Sequence, residues 1–292
     1  MDETRKGGRV MAKGSSRSDG AERAEKVRAL HEQLVEGVRA LTSSEDWTRA
    51  LETAARFHRY SARNVMLIAL QRPSARRVAG YRTWQAMGRQ VRKGERGIAI
   101  LAPCKYKHTT TDKETGEERE TWALRGFRAE HVFDIEQTDG EPLAEVRPEL
   151  LDGEAPAGLW DGLAAQVKAQ GFALERGDCQ GRNGYTDFGS HTVRVRDDVD
   201  EAQATKTLAH ELAHIRLGHS GCIFEPRSRA EVEAESVAYV VIRASGGGSD
   251  AYSFPYVAHW SGGDPAKVLE TAERVQTAAR SILEALEGSQ AK

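Results

Sequence analysis

Two histidines four residues apart, with a glutamate directly after the first, form the pattern His210-Glu211-Leu212-Ala213-His214. On an α-helix, residues four apart lie on the same face, with Cβ atoms roughly 5–6 Å apart. Two imidazoles at this spacing can bind one tetrahedral zinc ion at about 2.0–2.1 Å. Glu211 lies one position further round the helix, where it can accept a proton from a water that the metal binds. The pattern predicts metal-assisted hydrolysis, with His210 and His214 as metal ligands and Glu211 as the catalytic base.

The residues around this motif have the pattern of a buried helix. Asp198 or Asp200 can cap its first turn, because a side-chain carboxylate accepts hydrogen bonds from the free backbone N–H groups there. Gly218 can end the helix, since glycine readily adopts the left-handed conformation of a helix C-cap. Apolar residues recur at helical spacing between these ends, at Ala202, Leu208, Ala209, Leu212, Ala213, Ile215 and Leu217. The two histidines are therefore predicted to lie on a buried helix.

A second, acidic helix is predicted from Ser228 to Arg243. Glu231 and Glu235 are four residues apart and share one face, whereas Glu233 points away, so we expect Glu233 to be a solvated surface residue. The spacing resembles the Glu-x-x-x-acid pattern of gluzincin zinc peptidases, in which the first acid binds the metal and the second orients a ligand histidine. The resemblance implies Glu231 as the third metal ligand and Glu235 as the partner of a ligand histidine. The reverse assignment of these two glutamates stays open.

His219 is a competing third ligand. The metzincin pattern places a glycine at position 217 and a histidine at position 220, where this chain has Leu217 and Ser220. His219 is therefore one residue out of register, and Gly218 is expected to break the helix before it. The sequence favours Glu231 over His219.

Composition limits the class of protein. The chain has 292 residues, 39% of them hydrophobic, which is enough for two ordinary domains with real cores, and its formal net charge is −2. No apolar run reaches the ~20 residues that span a membrane, and no signal peptide begins the chain. Cys104, Cys179 and Cys222 are scattered and form no CxxC pair, which is typical of a reducing compartment. We therefore expect a cytoplasmic protein that binds no membrane.

Charge is distributed unevenly along the chain. Residues 56–107 contain thirteen lysines and arginines against one acid, Glu95, whereas residues 134–154 contain eight acids against Arg147 alone. A basic stretch followed by an acidic one with proline and glycine is typical of a domain end and a linker. We predict a disordered polar tail (1–20), an N-terminal domain (21–137), an acidic linker (138–157) and a C-terminal domain (158–292).

Periodicity predicts an α+β fold for both domains. The predicted helices of the N-terminal domain are 21–41, 44–58, 62–70 and 83–87, and its strands are 98–102, a hairpin over 105–124, and 128–135. The C-terminal domain is predicted to contain helices over 160–170 and 265–286 and a hairpin over 184–196 beside the histidine helix. A strand in that position can pair with an extended peptide substrate. Four side chains are candidates for stabilising an oxyanion, none of them assigned as catalytic: Tyr239, Tyr252, Tyr256 and His259.

The basic stretch is compatible with two interpretations. Lysine and arginine bind nucleic-acid backbones, and single strands also stack on aromatic rings such as those of Tyr60, Tyr81 and Trp84, which lie among the cations. The same composition also describes a solvated arginine-rich surface over an aromatic core. Residue chemistry alone leaves both interpretations open.

Three segments resemble the N-terminal domain of ArdC-type antirestriction proteins. They are Tyr60-Ser-Ala-Arg-Asn64, Gly80-Tyr81-Arg-Thr-Trp84-Gln85, and the run from Gly88 to Ile98 with its Val-Arg-Lys-Gly-Glu core. The resemblance implies a single-stranded DNA-binding domain. The DNA-binding residues that we predict from it are Arg63, Asn64, Arg82, Trp84, Arg89, Arg92, Lys93 and Arg96.

The C-terminal half resembles the zincin metallopeptidase domain that follows in this family, and is similar also to the ImmA/IrrE peptidases. The resemblance implies Zn²⁺ as the cofactor, and Glu235 stands where the ImmA-like pattern has Asn or Asp. It implies an antirestriction protein of a mobile element, whose partners are single-stranded DNA and a protein substrate or host restriction enzyme. Two alternatives stay open: an ImmA-like peptidase that cleaves a repressor, and a non-enzymatic DNA-coating protein with a structural zinc.

Overall fold

The structure is a computed structural model that describes residues 15–41, 43–111, 118–142, 155–220, 229–248 and 260–290. The helices in these ranges are α1 (Ser15–Arg39), α2 (Ser44–Arg56), α3 (Ala62–Gln71), α4 (Tyr81–Ala86), α5 (Leu159–Ala169), α6 (Glu201–Leu217), α7 (Arg229–Ala244) and α8 (Pro265–Gln290). The strands are β1 (Val78–Gly80), β2 (Arg89–Val91), β3 (Ile98–Thr111), β4 (Glu118–Asp134), β5 (Thr138–Gly140), β6 (Ala173–Arg176), β7 (Gly184–Asp187) and β8 (Thr192–Val195). The predicted α+β class is confirmed.

Serine caps fix the starts of the N-terminal helices. Ser43 caps α2 through a reciprocal box, in which its hydroxyl accepts from the Asp46 N–H at 3.1 Å and its own N–H donates to the Asp46 carboxylate at 3.0 Å. Ser61 caps α3 as predicted. Helix α1 begins at Ser15, six residues before the end of the tail for which disorder is predicted, and that disorder stays a prediction. That polar stretch contains no proline, and nothing in it prevents the amphipathic helix from extending backwards.

The first sheet has the order β1-β4-β3, with β3 and β4 forming one long antiparallel hairpin. Sequence patterns predicted this region as separate strands around a shorter hairpin, because the alternation of apolar residues weakens beyond Ala102. The structure merges these pieces into one continuous ladder from Ile98–Val132 to Thr111–Glu118, with a bulge beside Cys104 and Lys105.

Two amide side chains cover the free edge of β3. Asn64 donates to the Leu101 carbonyl at 3.0 Å and accepts from the Leu101 N–H at 2.9 Å. Gln71, two turns later on α3, makes the same pair of hydrogen bonds with Ala99 at 2.8 and 2.9 Å. The amides thus take the place of a neighbouring strand, because an open edge presents unpaired backbone groups.

A second, two-stranded sheet joins β2 to β5. The Arg89 side chain secures this pairing by donating to the Thr138 hydroxyl at 2.8 Å, the Thr138 carbonyl at 3.0 Å and the Gly140 carbonyl at 3.0 Å. The segment predicted as a linker therefore starts with a strand that belongs to the N-terminal part. Residues 143–154 of that linker lie outside the described residues, and the exact domain boundary stays a prediction.

The third sheet, of order β6-β8-β7, lies in the C-terminal half. β6 pairs with β8 in parallel and β7 pairs with β8 in antiparallel, so the predicted hairpin over 184–196 is confirmed. Since β7 pairs only with β8 within the described residues, it is an edge strand. It packs directly against α6, which carries the histidine motif.

The two halves of the chain share one hydrophobic core, which extends from α1, α2 and α3 to α6, α7 and α8. Trp47 of α2 is fully buried, and its indole N–H donates to the Ser236 hydroxyl of α7 at 3.0 Å. Arg280 of α8 donates to the His58 carbonyl at 3.0 Å, and Gln276 donates to the Tyr60 carbonyl at 3.1 Å. The chain connecting α2 to α3 is therefore held by α8.

No helix within the described ranges is both long enough and apolar enough to cross a bilayer.

Replacing Asn64 by alanine is expected to lower the free energy of unfolding by about 2 kcal/mol, because the backbone N–H and carbonyl of Leu101 would lose their partners in a buried position. Urea unfolding followed by circular dichroism measures this. The matched control is Gln85→Ala, since Gln85 is an exposed amide with one long contact of 3.5 Å to Gln90. Equal unfolding midpoints for the two variants would contradict the edge-capping role.

Candidate metal centre

Helix α6 presents the histidine motif from a well-defined start and end. The Asp200 carboxylate caps its first turn by accepting from the Gln203 N–H at 2.7 Å. Gly218 ends it in the left-handed conformation, with φ of 69°. Leu208 and Leu212 are fully buried on its core side, as the sequence pattern predicted. The position of the motif is therefore set by both caps and by the core.

Three possible metal ligands converge where α6 faces α7. His210 Nε2 and His214 Nε2 are 3.0 Å apart, Glu231 Oε2 is 3.4 Å from the first, and Glu231 Oε1 is 3.6 Å from the second. These donor atoms form a group that could hold one cation. The residues named from the sequence as ligands are thus brought together, although their role stays a prediction.

The separation of the donor atoms can be compared with what a zinc ion requires. Ligands at ~2.0–2.1 Å from a tetrahedral ion lie about 3.3 Å from one another. The observed separations of 3.0, 3.4 and 3.6 Å scatter around that value. Three protein ligands leave a fourth position, which is the arrangement of catalytic rather than purely structural zinc sites. The residues therefore fit a divalent transition metal.

Glu235 contacts the opposite nitrogen of His210. Its Oε2 lies 3.0 Å from His210 Nδ1, and its Oε1 pairs with Lys206 Nζ at 3.1 Å. The carboxylate can therefore accept the Nδ1 proton and leave the Nε2 lone pair for a metal. Burial raises the pKa of Glu235, but hydrogen bonding to His210 and the charge of Lys206 outweigh it, and the pKa is lowered. This geometry favours Glu231 over Glu235 as the ligand.

The two motif histidines differ in their electrostatics. Burial lowers the pKa of His210, but hydrogen bonds to Glu231 and Glu235 dominate and raise it to about 10. Burial together with the neighbouring His210 and His219 lowers the pKa of His214 to about 2. The surroundings therefore favour one positive charge among these donor atoms, next to a neutral imidazole. A bound divalent cation would take over the position of that charge.

His219 and Glu233 form a buried relay behind His214. His219 Nδ1 is 2.8 Å from His214 Nδ1, and His219 Nε2 is 3.1 Å from Glu233 Oε2. Arg229 and Arg274 each donate to the Glu233 carboxylate, at 2.8 and 2.9 Å. Because the relay ends on a carboxylate, His219 Nε2 carries a proton, and the proton between the two Nδ1 atoms belongs to His214. The Nε2 lone pair of His214 is then directed at the candidate metal position.

This relay corrects two expectations. Glu233 is not a solvated surface residue, since only 2% of its surface is exposed. It points away from Glu231 as predicted, but the side it points to is covered by His219 and by Arg274 of α8. His219 contacts the Nδ1 side of His214, whereas the candidate ligands meet on the Nε2 side. The competing assignment of His219 as a ligand is therefore not supported.

Glu211 is buried beside the candidate ligands. It accepts a hydrogen bond from the Thr186 hydroxyl at 2.7 Å, and burial is the main cause that raises its pKa. Gly184 of β7 allows this close packing, because a Cβ there would lie 2.6 Å from Thr207 Cγ2 and 2.9 Å from the Arg194 carbonyl. A carboxylate with a raised pKa is a stronger base, which suits proton abstraction.

These groups line one cleft of about 930 Å³ between β7, α6 and α7. Its walls include Arg182 and Tyr185, and its floor includes Glu211 with the three candidate ligands. Tyr239 does not reach it: its side chain is fully buried, its hydroxyl donates to Glu52 at 3.4 Å, and burial raises its pKa to about 12. Three other oxyanion candidates, Tyr252, Tyr256 and His259, lie outside the described residues.

The predicted DNA-binding residues separate into buried and exposed groups. Asn64, Trp84 and Arg89 are buried, and their polar atoms bond to backbone groups, with the Trp84 indole donating to the Phe133 carbonyl at 2.8 Å. Burial speaks against the expectation that these three contact DNA, because a fully covered ring cannot stack, and the Asn64 amide and the Arg89 guanidinium already donate to protein groups. They hold the N-terminal fold together instead.

The remaining five predicted residues are more accessible. Arg63 is half-buried and pairs with Glu273 of α8 at 2.6 Å. Arg92 is exposed but pairs with Glu95 at 2.8 Å and with Asp139 at 3.5 Å. Arg82, Lys93 and Arg96 are exposed and form no ion pair with any acid in the part of the chain that the structure describes. These last three are the predicted residues best able to bind phosphate.

Sequence reasoning missed Thr186, Arg229 and Arg274 as parts of the centre. A hydroxyl on a predicted edge strand and an arginine on the last helix carry no signal of their own. Arg229 had one, since it lies four residues before Glu233, the spacing of a helical ion pair. That spacing would have indicated that Glu233 is held by a partner.

Substituting His219 is expected to weaken metal binding without removing it. His219→Ala leaves the Nδ1 proton of His214 without its acceptor, and loss of such an outer hydrogen bond lowers metal affinity by roughly 10- to 100-fold. Competition titration with a chromogenic chelator measures the Zn²⁺ dissociation constant. His131→Ala is the matched control, because His131 is an exposed histidine on β4. Wild-type affinity in the His219 variant, with an intact fold, would show that the relay does not act on the site.

Comparison with known proteins adds the family. Residues 22–133 match the family model described as the N-terminal domain of anti-restriction factor ArdC. An uncharacterized Bacillus anthracis protein, pXO2-81, is 24% identical over 286 positions, which cover 84% of this chain and 48% of that protein. The chain thus spans about half the length of this relative.

Two crystal structures of the antirestriction protein ArdC from plasmid R388 are also similar, one metal-free and one bound to Mn(II). Both are 22% identical to this chain and cover 78% of it, with TM-scores of 0.49 and 0.46 and coverage of 86% and 89% of the solved chains. The resemblance found in the sequence is confirmed where the family model matches. Over residues 22–133, the chain is an ArdC-type N-terminal domain.

Proposed function

We propose that this chain is an ArdC-type antirestriction protein that joins single-stranded DNA binding to a zinc-dependent, peptidase-like hydrolytic site. The proposal of a hydrolytic site rests on one observation: His210, His214 and Glu231 line one cleft, and the buried Glu211 lies beside them. Such a constellation has the donors for a metal, an open fourth position and a base in contact with the same space.

The residues of the chain divide the chemistry between them. A divalent metal at this position would supply Lewis-acid polarisation of a water molecule and of a scissile carbonyl. Glu211 accepts the proton of that water, and the Thr186 hydroxyl holds the carboxylate in place at 2.7 Å. As the oxygen of that water bonds to the carbonyl carbon and the C–N bond breaks, the protonated Glu211 delivers the proton to the leaving amine. Glu235 and His219 hold the two imidazoles in the tautomers that ligation requires.

The form of the cleft supports an extended polypeptide as the substrate. Strand β7 lies along the cleft, and its outer edge has no strand partner within the described residues. A peptide chain laid beside Gly184–Asp187 can pair with that edge by backbone hydrogen bonds, which would place a peptide carbonyl near Glu211. Backbone pairing of this kind recognises extended chains with little dependence on their side chains.

Exposed cations support the DNA-binding part. Arg82, Lys93 and Arg96 lie within the ArdC-type domain and have no acidic partner among the described residues. Cations without partners can neutralise phosphates and release counterions, whereas a cation such as Arg92 must first give up Glu95. We place the sequence-predicted phosphate contacts on these three residues.

A non-enzymatic alternative has one observation in its favour. Helix α7 carries Glu231 on one side and, through Ser236, holds Trp47 of the N-terminal half on another. A metal that ties α7 to α6 would therefore stabilise the packing of both halves without cleaving any bond. Masking of incoming DNA would then be the whole mechanism.

Glu211→Gln separates the two functions. The variant is expected to keep Zn²⁺ affinity near wild type, because Glu211 is not among the candidate ligands, and to lose at least 100-fold in cleavage of fluorescein-labelled casein. The matched control is Glu201→Gln in the first turn of the same helix, where Glu201 forms an exposed pair with Arg176.

The decisive outcome is the comparison of cleavage with antirestriction. Unmodified plasmid DNA introduced into a restriction-proficient host measures protection. Loss of casein cleavage with retained protection would favour the non-enzymatic alternative, and cleavage equal to wild type would exclude the hydrolytic mechanism.

The triple variant Arg82→Ala, Lys93→Ala, Arg96→Ala is expected to bind a labelled 20-nucleotide oligothymidine more weakly. Each lost phosphate contact reduces the dependence of log affinity on log salt by about 0.7 for single strands, so the slope should fall by roughly 2. Fluorescence anisotropy at several salt concentrations measures both quantities. The control variant removes the exposed Lys168 and Lys267 of the C-terminal half. An unchanged salt slope in the triple variant would remove these residues from the DNA-binding surface.

A further inference from the structure

The half of the β3–β4 hairpin that lies farther from β1 exposes large apolar side chains. The exposed fraction of the residue is 64% for Trp122, 56% for Leu124 and 40% for Phe127. A surface that displays a tryptophan to this extent marks a site of interaction, because exposing large apolar groups to water is unfavourable.

The strand register places these side chains on one face. Directly opposed residues of an antiparallel pair point to the same side, and alternate residues along a strand share that side. Trp122 is opposite Lys107, Leu124 is opposite Lys105, and Phe127 is opposite Pro103. Since positions 103, 105 and 107 alternate regularly on β3, their three partners on β4 form a continuous stripe. We call Trp122, Leu124 and Phe127 the hairpin stripe.

A β-bulge creates this alignment. Leu124 and Phe127 are three residues apart, a spacing that would put them on opposite faces of a regular strand. The register shifts beside Cys104 and Lys105, and Arg125 is left without an opposite residue. Gly126 follows with φ of 147°, a conformation that side chains rarely adopt. The bulge therefore turns Phe127 to the same side as the other two.

Cations accompany the stripe. Lys107 Nζ lies 6.0 Å from the centre of the Trp122 ring, Lys105 is opposite Leu124, and Arg125 lies at the bulge. Among the side chains that the structure describes, Glu120 pairs with Lys107 at 2.7 Å. Lys105 and Arg125 have no ionic partner among the described residues. The stripe is thus a flat apolar surface bordered by positive charge.

From this juxtaposition we infer that the hairpin stripe is a stacking platform for the bases of single-stranded DNA, with Lys105 and Arg125 contacting its phosphates. Unpaired bases present flat faces to an aromatic ring, and the backbone beside them presents negative charge. In a duplex those faces are already stacked, so the surface discriminates against double strands. The inference rests on the proposed DNA binding and extends its contacts well beyond residues 82–96.

Size and charge favour this occupant over a second copy of the chain. From Trp122 to Phe127 the strand extends roughly 16 Å at about 3.3 Å per residue, which accommodates about four stacked bases at ~3.4 Å each. A second hairpin placed face to face would set Lys105 and Arg125 against a surface that carries the same two cations. A polyanion supplies the missing countercharge along the whole stripe.

The test compares substitutions at Trp122 in the full-length chain. Trp122→Ala is expected to weaken binding of labelled 20-nucleotide oligothymidine about 10-fold, within the range known for loss of one stacked base. Trp122→Leu should show a similar loss because it keeps apolar surface without a flat ring, and Trp122→Phe should restore most of the affinity. Leu70→Ala, an equally apolar exposed residue of α3, is the control. Affinity for the duplex form of the same length should not change.

The outcomes distinguish this inference from the proposed function. If the wild-type chain binds oligothymidine and Trp122→Ala binds equally well, the stripe is not the platform, while DNA binding itself stands. If the wild-type chain does not bind, both fail. Two further outcomes would overturn the inference. If the wild-type chain binds vesicles of 30% anionic lipid, and Trp122→Ala loses this binding but keeps DNA binding, the stripe is a membrane contact. If the wild-type chain dimerises in sedimentation experiments, and Trp122→Ala loses dimerisation but keeps DNA binding, the stripe contacts a second copy.

Discussion

Carboxylates buried between α6 and α7 are the constraint on which the rest of the fold depends. Moving a charge out of water costs several kcal/mol unless the charge is paired and hydrogen-bonded. Glu233 meets this requirement with His219 and two arginines, and Glu235 meets it with His210 and Lys206. Glu211 has a hydroxyl partner and a raised pKa. Glu231 lies 3.4 Å from His210 Nε2 and 3.6 Å from His214 Nε2, so a cation placed among these three groups would compensate its charge.

Helix α7 links this constraint to the rest of the chain. The side with the glutamates faces α6, and other sides pack on α2 and α8 in the core that both halves share. Ser236 accepts from Trp47, and Arg274 of α8 reaches both Glu233 and the Leu217 carbonyl at the end of α6. A change in the spacing of α6 and α7 is therefore transmitted to α2 and α8 by direct contacts. The two halves of the molecule are not free to adjust independently.

The sequence was sufficient for the features that depend on periodicity and local capping. Helical spacing predicted that His210 and His214 share a face and that Glu231 and Glu235 share another, and Asp200 and Gly218 bound α6 as expected. Such features depend on residues fewer than five positions apart, which a sequence displays directly. The positions of His219 and Glu233 could not be predicted, because their partners belong to three different elements. Helical spacing alone placed Glu233 on a solvated surface, and only the tertiary fold supplied its pairing with His219.

Asn64, Trp84 and Arg89 show the same limit in the N-terminal domain. Each has a side chain that suits nucleic acid, and each instead bonds to backbone groups 37 to 51 residues away in the sequence. An open strand edge and a short two-stranded sheet need such partners, and no periodic pattern reveals which polar residue will provide them. The hairpin stripe was hidden for a related reason, since the bulge that aligns Leu124 with Phe127 breaks the alternation by which strands are recognised.

Burial of polar groups therefore has opposite meanings in the two halves. In the N-terminal domain the side chains of Asn64, Trp84 and Arg89 are buried and hydrogen-bonded to the protein, so ligand binding is expected to fall to exposed groups. In the candidate metal centre the Nδ1 atoms of His210 and His214 contact Glu235 and His219, and this leaves their Nε2 atoms facing one another and Glu231. A buried polar side chain indicates a binding site when one of its polar atoms is not taken up by the contacts that hold the side chain in place. Several such atoms must then point at the same position. By that criterion His210, His214 and Glu231 are the residues that we propose as a ligand-binding site, and the buried residues Asn64, Trp84 and Arg89 are part of a scaffold.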